Sequence, residues 1–182
     1  EISGSTSISG AANVTAVNDA KVSGMGKIGN GLYFDGTGDY LSIPDSDDWD
    51  FANGDFTIDA WVRLNSNEIH QTIYSQYTSG GHNVQFYITP SSLLQFYSNR
   101  GSVISFASTA TLSTAIWYHV ALVHSGTSYK LYINGKNDGS TTDTSTINNL
   151  NSVVYIGSWI GGDQYLNGHL DEFRIIKGSA LT

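Results

Sequence analysis

Apolar and polar side chains alternate with a period of two along much of this 182-residue chain, and helical periodicity is absent nearly everywhere. Residues 55–64 are the clearest case. Phe56, Ile58, Ala60, Val62 and Leu64 take one side, and Thr57, Asp59, Trp61 and Arg63 take the other. Val84, Phe86 and Ile88 repeat the pattern against Gln85, Tyr87 and Thr89, as do Tyr129, Leu131 and Ile133 against Lys130, Tyr132 and Asn134. Such alternation puts one strand face on a core and the other towards solvent. Further strands are predicted at 30–35, 39–43, 71–76, 93–98, 102–106, 116–124, 152–157 and 166–176. Asn-Gly or Asp-Gly pairs punctuate them at 30–31, 35–36, 53–54, 134–135, 138–139 and 167–168. These pairs accept positive φ and favour tight hairpins. Many strands with regular turn signals predict an all-β sandwich or barrel.

The first 28 or so residues alternate weakly. They read as an edge strand plus a loop, with Ile8 and Val14 packing under the sandwich. The stretch Asp138–Asn151 reads as an exposed strand followed by a loop.

Net charge narrows the partners. The chain carries a formal charge of -8 and a pI near 4.7. Nucleic acid and anionic membrane surfaces call for a basic patch, so neither is an expected partner. No apolar run reaches the roughly 18 residues of a membrane span. There is no Cys, hence no disulfide and no thiolate metal site. Glu occurs only at positions 1, 68 and 172, so the acidity belongs almost wholly to Asp, a turn-forming and calcium-loop residue.

Several segments, in order, resemble the laminin-G-like branch of the concanavalin A-like lectin/glucanase superfamily. They are Gly26–Gly36, Gly38–Pro44, Gly54–Val62, Trp117–Val123, Lys130–Gly135, Tyr155–Gly157 and Asn167–Ile175. The resemblance implies a jelly-roll β-sandwich of two antiparallel sheets with about a dozen strands. It also implies an aromatic at Trp61 that packs within the fold. One domain is expected over residues 1–182, as a module of something longer.

The superfamily includes glucanases, whose catalysis needs paired carboxylates about 5 Å apart in a retaining enzyme. No Glu-x-Asp-x-x-Glu strand is present, and the polar face of 55–64 offers only Asp59. His70, His82, His119, His124 and His169 lack zinc spacing, and no nucleophile elbow or phosphate loop occurs. A non-catalytic module is expected, with a glycosidase as the distant alternative.

Four candidate sites follow. Asp39 shares parity with Leu41 and Ile43, and Asp171 with Phe173 and Ile175, so both carboxylates are expected to point inward. Buried carboxylates need a partner. Relatives often carry a structural calcium, and Asp39, Asp171, Asp35 and the carbonyls of the Gly36–Gly38 loop are its expected ligands. The alternative is that these carboxylates cap turns or pair with Arg174 or Lys27. The acidic run Asp45–Asp50 lacks the spacing of an EF-hand and reads as Asx-turns. The outward positions Asp59, Trp61, Arg63, Gln85, Tyr87, Gln95 and Tyr97 would line one sugar groove if their strands share a sheet. Finally, Ser158–Tyr165 places Trp159, Asp163, Gln164 and Tyr165 in a glycine-rich loop, and Tyr74–Asn83 carries Tyr77 and His82. Both loops are candidate ligand contacts; otherwise they fold back on their own aromatics.

The expected function is recognition of a glycan or other cell-surface ligand by an extracellular, cell-surface or virion protein, within a larger multidomain or virion assembly. The rival is a structural or adhesion module that binds protein or no small ligand.

Overall fold

A computed structural model describes residues 13–99, 103–145 and 149–181. The chain opens with two short strands, β1 (Thr15–Val17) and β2 (Lys21–Ser23). Next come β3 (Gly31–Asp35), β4 (Tyr40–Ile43) and β5 (Phe56–Leu64). A meander follows: β6 (Gln71–Tyr77), β7 (Asn83–Ile88), β8 (Leu93–Asn99) and β9 (Val103–Thr111). A second meander contains β10 (Tyr118–Ser125), β11 (Ser128–Ile133) and β12 (Lys136–Thr142). The chain closes with β13 (Val154–Ile156) and β14 (Asn167–Lys177).

Two antiparallel seven-stranded sheets form the jelly-roll sandwich. Sheet A runs β1-β4-β13-β6-β7-β8-β9, and sheet B runs β12-β11-β10-β5-β14-β3-β2. Every long strand predicted from alternation is present, with ends shifted by a few residues at most on all but β9. That strand runs to Thr111 through the Ser- and Thr-rich stretch where alternation fades. The N-terminal segment differs from expectation. Its strands β1 and β2 join the edges of different sheets. Val14 packs against the core as predicted, while Ile8 lies outside the described residues.

The inward faces supply the core. Phe34, Ile58 and Phe173 from sheet B meet Leu41, Phe86 and Phe96 from sheet A, all essentially buried. Phe96 and Tyr129 stack across the two sheets with ring centroids 5.7 Å apart. The acidic run folds as a 3-10 turn over Asp47–Trp49, with Ser46 as its cap and Trp49 buried beneath it. Trp49 Nε1 donates to the Pro44 carbonyl at 3.0 Å, and Asp50 accepts from the Ala52 N–H. The Asp50 contact is of the Asx type expected of that run.

One irregularity decides the site geometry. Between Asp171 and Arg174, β14 carries one residue more than β5 opposite, since Asp171 pairs Trp61 and Arg174 pairs Asp59. Glu172 takes φ +49° within this bulge. A β-bulge moves every later side chain to the other face. Leu170 before it and Phe173 after it therefore both point into the core, while Asp171 and Arg174 both lie on the outer face.

Candidate functional site

The bulge overturns the parity expected for Asp171. Its carboxylate faces outward, and it is buried only because the loop Gly24–Asn30 lies over it. Oδ2 accepts from the Ile28 N–H at 2.8 Å and Oδ1 from the Glu172 N–H at 2.9 Å. Asp39 is buried at the start of β4. Its oxygens accept from the N–H groups of Asp19 and Asp35 at 2.8 and 3.0 Å. Asp35 is exposed and accepts from the Thr37 N–H at 2.6 Å. Asp171 sits beside Gly31, at the far end of β3 from Asp35, a separation of about 13 Å along the strand. Calcium takes six to eight oxygens around one point. The expected set of Asp35, Asp39 and Asp171 does not converge on one, and no three acidic or histidine side chains do so among the described residues. These carboxylates serve as backbone caps.

The outward residues expected to share one groove are split between two sheets. Asp59, Trp61 and Arg63 lie on sheet B; Gln85, Tyr87, Gln95 and Tyr97 lie on sheet A. Chemistry divides the same way. None of the seven strands of sheet A contains a Lys, Arg, Asp or Glu. Among the described residues, all strand charges belong to sheet B.

On the outer face of sheet A, tyrosines and amides follow one another across the ladder. Tyr40 and Tyr155 meet edge to face at 5.8 Å. Gln85 opposes Tyr97 and Tyr87 opposes Gln95. Burial, and then the neighbouring Tyr97, pushes the Tyr87 phenol up from its usual pKa, so it stays a neutral hydroxyl. Both candidate loops fold onto this face. Ser75 Oγ donates to the Ser158 carbonyl at 2.8 Å, and Gln85 Nε2 donates to Gln164 Oε1 at 2.6 Å and to Thr72 Oγ1 at 2.7 Å. Tyr77 packs edge-on against Trp159 at 6.0 Å, joining the two loops. Trp159 and Asp163 bridge through their backbones, and the Asp163 side chain is exposed. Tyr165 is half-buried, and His82, with Nδ1 3.0 Å from the Asn99 carbonyl, is exposed at the β6–β7 turn. Gly161, at φ +68°, passes so close to Tyr155 that a Cβ would lie 2.8 Å from its ring. Backbone strain is concentrated here too, since the β-branched Ile160 has φ +50°.

The outer face of sheet B brings Asp59 and Trp61 together with Lys27, Trp117, His119 and Arg174, which the sequence did not place at a ligand site. Trp61 does not pack within the fold; it is half-exposed, with Lys27 Nζ 4.7 Å from the centre of its ring and His119 at its edge. Arg174 donates to buried Asp59 Oδ1 through Nε and Nη2 at 3.0 and 2.9 Å, and His119 Nε2 lies 3.3 Å away. Two adjoining cavities open on this face, of about 470 and 200 Å³, sharing His119 and Gly135.

A laminin-G model described as the concanavalin A-like lectin/glucanases superfamily matches residues 35–182. The chain belongs to this superfamily. No curated protein sequence matches it significantly. Among solved structures, this superfamily member is similar to domain 4 of AbnA, a GH43 extracellular arabinanase from Geobacillus stearothermophilus, solved with arabinotriose. The identity is 23%, coverage is 100% of this chain and 89% of the other, and the TM-score is 0.78. It is also similar to the CBM40 of the Ruminococcus gnavus IT-sialidase bound to α2,3-sialyllactose (17% identity, 72% and 79% coverage, TM-score 0.62). Mouse laminin α1 domains LG4-5 match at 15% identity, with 89% of this chain covering 42% of that one and a TM-score of 0.66. At these identities the likeness establishes the lectin-like fold. Among the described residues, no helix is long and apolar enough to cross a membrane.

Proposed function

We propose that this superfamily member is a non-catalytic carbohydrate-recognition module of an extracellular protein, and that it binds neutral sugars on the outer face of sheet A. The observation that carries the reading is the chemistry of that face, where tyrosines and amides stand on strands without a single charge and Trp159 packs against Tyr77 from the loop after β13. Sugar rings present apolar C–H patches that pack on aromatic faces, and hydroxyls that pair with amides and phenols. Neutral donors and acceptors meet those hydroxyls without desolvating an ion. Gln85 and Gln164 are held by each other, so their remaining amide groups are pre-oriented. Two of the structural neighbours were solved with oligosaccharides, which supports the class of ligand.

The test is calorimetric titration with a panel of neutral oligosaccharides that includes arabinotriose. Trp159→Ala and Tyr97→Ala should each weaken the best ligand at least tenfold, about 1.4 kcal/mol, and leave the fold intact by circular dichroism. Unchanged affinity in both variants would move the site elsewhere. A silent panel would favour the rival reading, a structural or adhesion module.

A further inference from the structure

The face of sheet B is built for a different ligand. The protein has eight Lys and Arg against sixteen Asp and Glu, yet its described cations are concentrated on one side. Lys21, Arg63, Lys130, Lys136, Arg174 and Lys177 lie on strands of sheet B, and Lys27 lies on the loop between its strands β2 and β3. Arg100 falls outside the described residues. Two of these cations flank the pair of adjoining cavities. Trp61, Trp117, His119 and Lys27 line the larger, and Asp59 and Arg174 line the smaller together with His119.

Each cation is positioned by a buried carboxylate. Asp59 is 2% exposed and holds Arg174 by two N–H groups, leaving the other guanidinium donors free. Asp171 is 3% exposed and pins the Gly24–Asn30 loop through the Ile28 N–H, which sets Lys27 over the Trp61 ring. Among the described residues Asp59 Oδ2 also has no partner while buried, a state that costs free energy until a donor arrives. The face thus combines two oriented cations, two indoles and one buried acceptor short of a hydrogen bond.

We infer that the outer face of sheet B is a second binding site, separate from the sugar face of sheet A, and that it takes a carboxylated sugar residue. The ligand's carboxylate meets Lys27 and the free N–H groups of Arg174. Its ring packs on Trp61 and Trp117, and a hydroxyl donates to Asp59 Oδ2 as the half-exposed Arg174 side chain adjusts. A neutral sugar would leave the cations unpaired. A bare anion would leave the indoles uncovered and Asp59 without its donor.

The probe is methyl β-glucuronide, with methyl β-glucoside and sodium acetate as controls. The readout is the four indole N–H signals in a proton–nitrogen correlation spectrum, assigned by Trp→Phe variants. The glucuronide is expected to shift Trp61 and Trp117 but not Trp159, with affinity at least tenfold above both controls and falling as NaCl is raised. Lys27→Ala and Arg174→Lys should each weaken it at least fivefold. Lys27 is exposed, so its removal leaves the fold intact; Arg174→Lys keeps a cation beside buried Asp59. The inference is overturned by equal shifts from glucoside or acetate, by shifts confined to Trp159, by no shift at millimolar concentrations, or by an unchanged affinity in Lys27→Ala. Neutral-sugar binding on sheet A would stand or fall separately, because Trp159 reports on it.

Discussion

His169 lies on the outer face of sheet B, yet it is buried beneath Tyr33, Trp117 and Arg63. Among the described residues its Nδ1 has no hydrogen-bond partner. Burial, and then the Arg63 charge, holds its pKa below the ordinary value of 6.5. The fold therefore favours the neutral ring. Its contribution to stability is complete above pH 6.5 and is lost as pH falls below that towards the depressed folded value. Relative to His169→Phe, the native protein should lose melting temperature between pH 7.5 and 5.5, as read by thermal scans of both proteins at each pH. A constant difference would mean that the ring titrates normally. At this scale the sequence was partly legible. Parity marked Asp39 as buried. It also marked Asp171 as buried, but for the wrong reason, because that carboxylate is covered by a loop rather than pointed at the core. The choice between ion and cap rests on where distant N–H groups arrive, and those of Asp19 and Ile28 cannot be placed from spacing.

At the scale of elements, edge strands β9 and β12 are the place where the two sheets are stitched together. Asp138 on β12 accepts from the Thr109 hydroxyl and from the N–H groups of Thr109 and Ala110 on β9. Gly139 beside it lies so close to β9 that a Cβ would sit 2.6 Å from the Ala107 carbonyl. The Thr109 hydroxyl, helped by the two N–H groups, holds the Asp138 carboxyl below its usual value of 3.8. That stability is present above pH 3.8 and disappears as pH falls through the depressed folded value. Asp138→Asn should thus melt earlier than the native protein at pH 7, and the difference should shrink as pH is lowered below 3.8. Parallel melting curves across that range would exclude this role. Strands were the most legible elements, because alternation follows directly from the pleat. The bulge in β14 was not legible. Positive φ there falls on Glu172 instead of a glycine or asparagine, so no residue type advertises it. That single extra residue sends Arg174 to Asp59 and removes Asp171 from the expected ion site.

For the whole molecule, the pairing of strands into sheets was the missing information. Alternation listed Trp61, Tyr87 and Tyr97 together as outward residues, but the jelly-roll crossings assign Trp61 to one face and the tyrosines to the other. Trp159 and Gln164 were marked as candidate ligand contacts, but not their packing on Tyr77 and Gln85, and the cation-flanked cavities of sheet B were not foreseen, because Lys27, His119 and Arg174 are far apart in sequence. With Asp35, Asp39 and Asp171 serving as caps, melting temperatures in calcium and in EGTA should agree to within about 1 °C; a fall of several degrees on chelation would require an ion elsewhere. The uneven placement of cations has one more consequence. Among the described residues, six cations and five carboxylates stand on the strands of sheet B, and none stands on sheet A. Ionic strength therefore separates the two faces of one molecule, because screening changes what sheet B attracts or repels and leaves the uncharged tyrosine face almost untouched.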